Sequence, residues 1–158
     1  FHTDIGVNGR IDTLQAAILL GKWPNFAQEV ESRARIGAAY SRKLQGAGII
    51  ATPKLAAGNT SVYAQYTVQV DQRAEVQAAL KARGIPTSVH YPTLLSEQPA
   101  LRRAHSCSSQ GWKTPLAQSA CERVMSLPMH PWLSDDDQDL VVDALVTVLQ
   151  NKTVPTTA

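Results

Sequence analysis

Residues 61–92, SVYAQYTVQVDQRAEVQAALKARGIPTSVHYP, contain the pattern that decides the fold. Apolar side chains alternate over residues 61–70, which is typical of a strand with one buried face. Asp71 can cap a following helix, and Gly84 can end that helix because glycine tolerates the left-handed conformation. Residues 85–91 then return as a second strand. The sequence therefore predicts a strand–helix–strand unit within an α/β domain.

Two helices are predicted before this unit. Asp12 and Gln15 match a capping box, so a helix is expected over residues 13–22. Its apolar residues lie nearly all round, which indicates burial on several sides, inside a larger protein or at a subunit contact. A longer helix follows Trp23 and ends near Gly46. At helical spacing its apolar side consists of Phe26, Val30, Ile36, Tyr40 and Leu44.

Further elements follow the central unit. A short helix is predicted around residues 100–105, another over 115–125, and a short strand over 126–128. Ser134 can cap the last helix, whose first turn carries three aspartates where negative charge suits the helix dipole. The buried stripe of that helix is predicted as Leu140, Val141, Leu145, Val148 and Leu149. Together these elements predict a small, mainly antiparallel sheet covered by helices.

Composition limits the possible functions. The 158 residues suffice for one core, and 44% are apolar and 18% charged, as in a soluble globular protein. The net charge of +2 is spread along the chain, so no basic block favours binding to nucleic acid. Cys107 and Cys121 lack a CxxC spacing and nearby histidines, which argues against a metal site or a disulfide and favours a reduced, cytoplasmic setting. No apolar run is long enough for insertion into a membrane.

The segment 6–10, GVNGR, is a candidate ligand-binding loop. Its two glycines allow a tight turn, and Asn8 and Arg10 can present an amide and a guanidinium to one anion, a phosphate or a carboxylate. An ordinary loop with a solvated arginine explains the same spacing. A chain that opens on FHTDIGVNGR without an initiator methionine also indicates a segment of a longer protein.

A second candidate site is the segment 84–92, GIPTSVHYP. His90 and Tyr91 lie at the predicted end of a strand, where functional residues gather on a rigid scaffold. A hydrogen-bonded His90 and a packed Tyr91 form the structural alternative. The segment 126–131, SLPMHP, is interpreted as a structural turn. The six lysines are predicted on exposed faces or in polar loops, so none is expected to be the buried amine that a Schiff-base lysine requires.

Taken in order, the motifs carry a resemblance to a known family. They are G-x-N-x-R at 6–10, D-x-x-Q-A-A at 12–17, R-x-x-x-x-Y at 35–40, G-I-P-T-x-x-H-Y-P at 84–92 and S-L-P-M-H-P at 126–131. Over almost its whole length the chain resembles the C-terminal part of the DegT/DnrJ/EryC1/StrS sugar aminotransferases. The resemblance implies the small α/β domain of a fold-type I transferase that depends on pyridoxal 5'-phosphate (PLP), as in aspartate aminotransferase. By it, residues 1–46 are the end of the large domain and the linking helices, 47–150 the C-terminal small domain, and 151–158 a tail.

The resemblance also implies a function. Within the family the chain is similar to bacterial enzymes that transfer an amino group from glutamate to a UDP-linked 3-keto uronic acid, for lipopolysaccharide O-antigen synthesis. Such enzymes are homodimers with the active site at the subunit interface. The resemblance implies that Asn8 contacts the PLP phosphate of the neighbouring subunit. It further implies that Arg10, His90 and Tyr91 contact the nucleotide-sugar substrate, Arg10 at the uronate carboxylate. The Schiff-base lysine belongs to an N-terminal PLP domain missing from this chain, so the chain alone is expected to be inactive.

Two other classes of function stay open at this point. A non-catalytic binding or scaffold domain is one, although the apolar helix over residues 13–22 argues against it. A PLP-dependent sugar dehydratase relative is the other, since dehydratases of this family resemble the aminotransferases but carry histidine at the lysine position. The sequence leaves the exact sugar and the amino donor open.

Overall fold

The structure is a computed structural model that describes residues 3–103 and 113–153. Within these residues the structure consists of helices and two strands, which follow one another along the chain in no regular order. The helices are α1 (Thr13–Lys22), α2 (Phe26–Lys43), α3 (Arg73–Ala82), α4 (Pro99–Arg103), α5 (Pro115–Arg123) and α6 (Asp135–Thr153), and the strands are β1 (Tyr66–Gln69) and β2 (Val124–Leu127). This is the predicted α/β arrangement, with two helices that lead into a small sheet.

The sheet is antiparallel. β1 pairs with β2 so that Tyr66 lies opposite Leu127 and Gln69 lies opposite Val124. Single bridges widen it at both edges, one from Ala51 to Gln69 and one from Ser88 to Ser126, both antiparallel. The prediction of a small, mainly antiparallel sheet is therefore confirmed.

One apolar core joins the sheet to α2, α3 and α6. Its side chains come from all these elements: Ile36, Tyr40 and Leu44 from α2 and its end, Tyr66, Val68 and Val70 from β1 and its end, Val76 and Leu80 from α3, and Val141, Leu145 and Val148 from α6. Full burial of such a side chain stabilises the fold by roughly 1.5–3 kcal/mol. The second half of α2 is thus fixed rigidly against the sheet, whereas Phe26, predicted on the same stripe, is exposed.

The strand predicted over residues 61–70 is shorter than its alternation indicated. The chain bends at Tyr63, whose φ of 40° is left-handed, and only Tyr66–Gln69 joins the ladder. At the bend the predicted faces are reversed, since Tyr63 is buried and Val62 is exposed, whereas the residues of the predicted apolar face within and after the strand, Tyr66, Val68 and Val70, are buried as predicted.

The prediction of a second strand over residues 85–91 is wrong. Only Ser88 pairs there, in the bridge to Ser126. Pro86 has no N–H to contribute to a ladder, and Pro92 restricts the residue before it, so the two prolines leave little room for regular pairing.

Helix α3 ends as predicted but begins differently. Gly84 has φ of 77°, its N–H donates to the Lys81 carbonyl at 3.0 Å, and the Ile85 N–H donates to the Leu80 carbonyl at 3.0 Å, as in a Schellman motif. Asp71 does not cap the helix, because Gln72 takes the N-cap position in a left-handed conformation. The Asp71 carboxylate instead pairs with Arg123 at 3.1 Å.

The helix predicted over residues 115–125 ends at Arg123, and the following strand begins earlier than the predicted 126–128. Val124 and Met125 leave the helix because they pair with β1, and Met125 is fully buried there. Of the short helix predicted around 100–105, Pro99–Arg103 is observed. Residues 104 and 105 and Cys107 lie outside the described residues.

The last helix, α6, has the predicted N-terminal cap, but its buried side chains differ in part from the predicted stripe. The Asp137 N–H donates to Ser134 Oγ at 3.1 Å, which confirms the cap. Leu140, predicted to be buried, is 59% exposed, and Val142 is buried in its place. The helix continues to Thr153, so it includes the first residues of the predicted tail, and residues 154–158 lie outside the described part of the chain. None of the described helices has the length and apolar character needed to cross a membrane.

Candidate functional site

A cavity of about 220 Å³ brings two of the sequence motifs together. Residues 86–88 and His90 line one side, residues 126–129 line another, and Ala64 and Gln65 close the edge before β1. The segment 126–131, which the sequence predicts as a structural turn, thus also supplies part of the cavity wall. Its place in the wall is set by tertiary pairing with β1 and Ser88, and the sequence carried no signal for this beyond the histidine and the prolines.

His90 is the titratable residue of the cavity. Its side chain is half-buried, and Nδ1 is shielded from solvent with no hydrogen-bond partner among the described residues. A buried polar atom without a partner costs about 1–3 kcal/mol, so a ligand or another segment of protein that bonds it gains by doing so. Tyr91, joined to His90 by a cis peptide bond, is 67% exposed. The two rings meet edge to face, with centroids 5.5 Å apart.

A buried tyrosine holds one wall of the cavity. Tyr40 Oη donates to the Pro128 carbonyl at 2.9 Å, and the Tyr40 ring stacks on Tyr66 with centroids 4.9 Å apart. Burial, reinforced by the neighbouring Tyr66, raises the pKa of Tyr40 well above its usual range. Burial also raises the pKa of Tyr66, against the lowering effect of its hydrogen bond with Ser41. Both phenols therefore stay protonated, and Tyr40 remains a donor to Pro128.

The opposite edge of the cavity depends on a glycine. A Cβ on Gly37 would lie 2.3 Å from Cδ2 of the Tyr63 ring, so only glycine lets this ring pack on α2. Arg33 Nη1 donates to the Tyr63 carbonyl at 3.2 Å, which fixes the backbone just before Ala64 and Gln65. Helix α2 thus positions both edges of the cavity, a role that periodicity alone did not indicate.

Thr87 is held from helix α3. Gln77 Nε2 donates to Thr87 Oγ1 at 3.0 Å. The next residue is fixed by backbone hydrogen bonds between Ser88 and Ser126, at 3.2 and 2.8 Å. Gln77 belongs to no recognisable motif, and only its contact with Thr87 reveals that it matters to the cavity.

The first candidate segment has no contact of this kind. Residues 5–12 form no helix or strand, and Asn8 and Arg10 are exposed. Within residues 3–103 and 113–153, no hydrogen bond or ion pair ties either side chain to the rest of the chain, including His90 and Tyr91. Both groups are therefore available to a ligand or to another polypeptide, and their proposed roles stay predictions.

An apolar face extends from this segment along α1. The capping box is confirmed, since the Gln15 N–H donates to Asp12 Oδ1 at 2.8 Å, and α1 spans the predicted residues. No residue of α1 is buried within this chain. The exposed apolar side chains of the segment, α1 and the turn after it are Ile5, Val7, Ile11, Leu14, Ile18, Leu19, Leu20, Trp23 and Phe26. Monomeric proteins rarely expose so large a contiguous group, which indicates a protein partner surface.

None of the lysine side chains that the structure describes is the buried, unengaged amine that PLP anchoring requires. Lys43 is partly buried and is engaged by Asp139 and by Gln138. The other lysines whose side chains the structure describes, at positions 22, 54, 81 and 113, are exposed. Among the described residues, no three histidine, cysteine, aspartate or glutamate side chains form a cluster able to hold a metal ion.

Comparison with known proteins gives one consistent result. The model of the DegT/DnrJ/EryC1/StrS aminotransferase family matches residues 1–146. The UDP-2-acetamido-2-deoxy-3-oxo-D-glucuronate aminotransferase of Pseudomonas aeruginosa is 46% identical over 144 residues, which are 91% of this chain and 38% of that protein. A crystal structure of a DegT DnrJ EryC1 StrS aminotransferase from Brucella abortus is 37% identical, with a TM-score of 0.76 over 94% of this chain and 37% of that one. DesV from S. venezuelae, solved in complex with a ketimine intermediate, is 32% identical, with a TM-score of 0.80 over 92% and 38%. The chain thus spans less than two-fifths of the length of these relatives.

Proposed function

Because the chain belongs to the DegT/DnrJ/EryC1/StrS aminotransferase family, we propose that it forms the substrate-facing part of a PLP-dependent sugar aminotransferase. The reaction moves an amino group from glutamate to the keto group of a nucleotide sugar, a UDP-linked 3-keto uronic acid, for cell-surface polysaccharide synthesis in the cytoplasm. The identity of 46% to the P. aeruginosa aminotransferase supports this substrate over the other sugars of the family.

One observation of the structure carries the proposal. His90 Nδ1 is buried at the wall of a cavity and has no partner in the part of the chain that the structure describes, and Tyr91 beside it is exposed, in the segment that carries the family motif. An unsatisfied buried polar atom in a native structure requires an explanation, and the place of His90 in the wall of a concave site with mixed polar and apolar lining supports a ligand-contacting role. His90 and Tyr91 accordingly contact the nucleotide sugar.

Asn8 and Arg10 contribute to the site from a different segment of the chain than His90 and Tyr91. Both are exposed on a segment without regular structure, and Gly6 and Gly9 beside them have no atoms within 4 Å of an added Cβ, so a ligand has room to approach the backbone. The Asn8 amide would donate to the phosphate of PLP held by the neighbouring subunit. The Arg10 guanidinium pairs with the uronate carboxylate, which its planar fork of donors suits.

These residues bind and orient rather than drive the chemistry. PLP, when bound, supplies the electron sink that amino-group transfer requires. Asn8 would hold the cofactor through its phosphate, and Arg10, His90 and Tyr91 would bind and orient the sugar for reaction with it. The lysine side chains that the structure describes are exposed or, for Lys43, engaged by an aspartate, which supports a Schiff-base lysine supplied by the PLP domain.

The apolar face of α1 supports the existence of that domain and of a dimer. The leucines and isoleucines of α1 are exposed in this chain, and their burial requires contact with other protein. The relatives have more than three-fifths of their length outside the matched region, which can provide this contact. We assign α1 to the contact with the PLP domain and with a second copy of the protein. This chain alone does not transaminate.

Replacing Arg10 tests the proposal most directly. In the whole enzyme, Arg10→Ala should raise the KM for the 3-keto uronate by roughly 10- to 100-fold, as expected for loss of a charge-assisted hydrogen bond. The KM for the matching neutral 3-keto hexose should change far less. Arg42→Ala is the matched control, because Arg42 is an exposed arginine on α2.

Two outcomes would contradict the assignment at different levels. Equal effects of Arg10→Ala on the charged and neutral substrates would remove the carboxylate role while leaving the reaction intact. Failure of the enzyme to consume glutamate with any 3-keto nucleotide sugar would overturn the function itself.

A further inference from the structure

We propose that the cavity beside His90 receives one neutral ring of the nucleotide sugar, to which the Thr87 hydroxyl donates a hydrogen bond in a direction set by Gln77. The inference rests on the proposed function for the class of ligand, and it adds a contact and a positioning residue that the sequence motifs do not indicate.

The charge of the lining excludes the anionic parts of the substrate. Among residues 3–103 and 113–153, the side chains that line the cavity carry no fixed charge, and His90 is the one titratable residue of this lining. A phosphate or carboxylate placed there would be removed from water without a compensating lysine or arginine, which is costly. A neutral ring with hydroxyl or carbonyl oxygens fits the same lining, because Gln65, Thr87 and His90 offer it hydrogen-bonding atoms.

The size of the cavity admits one ring only. Its volume of about 220 Å³ lies below the range of roughly 300–1,000 Å³ that is usual for pockets that hold drug-sized ligands. The cavity has no room for the whole nucleotide sugar, whereas it has room for the uracil, or for the N-acetylated sugar ring with the uronate carboxylate left outside. Inside the cavity both rings present only neutral acceptor oxygens, so they offer the same chemistry to Thr87.

The direction of the Thr87 hydrogen bond follows from its partner. Thr87 Oγ1 accepts from Gln77 Nε2 at 3.0 Å, and among the described residues no other atom bonds this hydroxyl. The hydroxyl proton is therefore free for an acceptor in the cavity. Gln77 is a positioning residue, since it touches Thr87 and does not line the cavity itself.

Titration calorimetry on the whole enzyme tests this, with UDP-N-acetylglucosamine and UDP as the two probes. Thr87→Val keeps the shape and removes the donor, so it should weaken binding of UDP-N-acetylglucosamine by about tenfold, the usual worth of one hydrogen bond. Thr87→Ser should bind within about twofold of wild type, because the hydroxyl is retained. Gln77→Glu places an acceptor beside Thr87, so the hydroxyl turns to the carboxylate and binding should weaken as in Thr87→Val.

Gln45→Glu is the control for the charge of Gln77→Glu, because Gln45 is exposed at the end of α2 and does not line the cavity. A urea titration of each variant checks that the fold is retained. Weakened binding of UDP-N-acetylglucosamine alone identifies the hexose as the bound ring. Equal weakening for both probes identifies the uracil.

Unchanged affinity of Thr87→Val for both probes would overturn the proposal. A Gln77→Glu variant that binds like wild type would overturn the positioning role. These readouts are independent of catalysis, so loss of the glutamate-dependent reaction would count against the proposed function and leave the cavity result standing.

Discussion

Replacing Gly37 with alanine should destabilise the fold, although alanine is the better helix former. Gly37 lies inside α2, and an added Cβ would approach three atoms of the Tyr63 ring at 2.3, 2.5 and 2.7 Å. The ring has little freedom to move away. The Tyr63 side chain is buried, and its ring centroid lies 5.6 Å from that of Tyr66. Arg33 also donates a hydrogen bond to the backbone carbonyl of Tyr63.

Two opposing effects set the magnitude. Overpacking of a well-filled core costs typically 1–3 kcal/mol, and three contacts below 3 Å favour the upper end of that range. The change from glycine to alanine in a helix returns about 0.8–1 kcal/mol. The net destabilisation of Gly37→Ala is therefore about 2 kcal/mol, which lowers Tm by roughly 4–8 °C in a chain of this size.

A double-mutant cycle with Tyr63→Ala separates the two effects. In the Tyr63→Ala background the ring is gone, so Gly37→Ala should stabilise the fold by about 0.5–1 kcal/mol through helix propensity alone. The measurement is urea unfolding of the four proteins followed by circular dichroism. A neutral or stabilising Gly37→Ala in the wild-type background, or the same effect in both backgrounds, would refute the packing account.

Two further predictions concern the tyrosines. Tyr40→Phe should lower the free energy of unfolding by about 1 kcal/mol, because the Pro128 carbonyl loses its donor. Tyr91→Phe, at a side chain that is 67% exposed, should change it by less than about 0.5 kcal/mol. A larger loss in Tyr91→Phe than in Tyr40→Phe would contradict the assignment of the buried donor. Stability should also fall as the pH rises above about 10, since unfolded tyrosines ionise near there while burial keeps the pKa of Tyr40 and of Tyr66 higher. Urea midpoints between pH 8 and 11 measure this decline, and Tyr40→Phe should make it shallower; an unchanged decline would show that Tyr40 does not contribute.

The candidate site was only half accessible to sequence reasoning. His90 and Tyr91 could be proposed from the sequence because they end a recognisable motif, and Asn8 and Arg10 because they lie in another, and the roles of all four residues stay predictions. Gln77, Gly37 and Arg33 could not, because each acts through one contact with a residue at least ten positions away in the chain. Spacing carries no information about such contacts.

The ends of the strands also show which features could be predicted from the sequence and which could not. Alternation over residues 61–70 correctly indicated a strand, but the bend at Tyr63 depends on the space that Gly37 leaves on another helix. Likewise, the sequence predicts helix at residues 124 and 125, but these residues form a strand because they pair with β1. Tertiary contacts outweighed local propensity at both places, through packing at Tyr63 and through ladder hydrogen bonds at residues 124 and 125.

The amino-acid sequence by itself determined the α/β class, the extent of α1, the caps at Asp12 and Ser134 and the glycine end of α3, because each depends on groups within a few residues of one another. The tertiary structure decided where the strands begin, which side of α6 is buried and which residues meet in the cavity. These features depend on contacts between residues far apart in the chain, and the free energy of such contacts exists only after the chain has closed on itself.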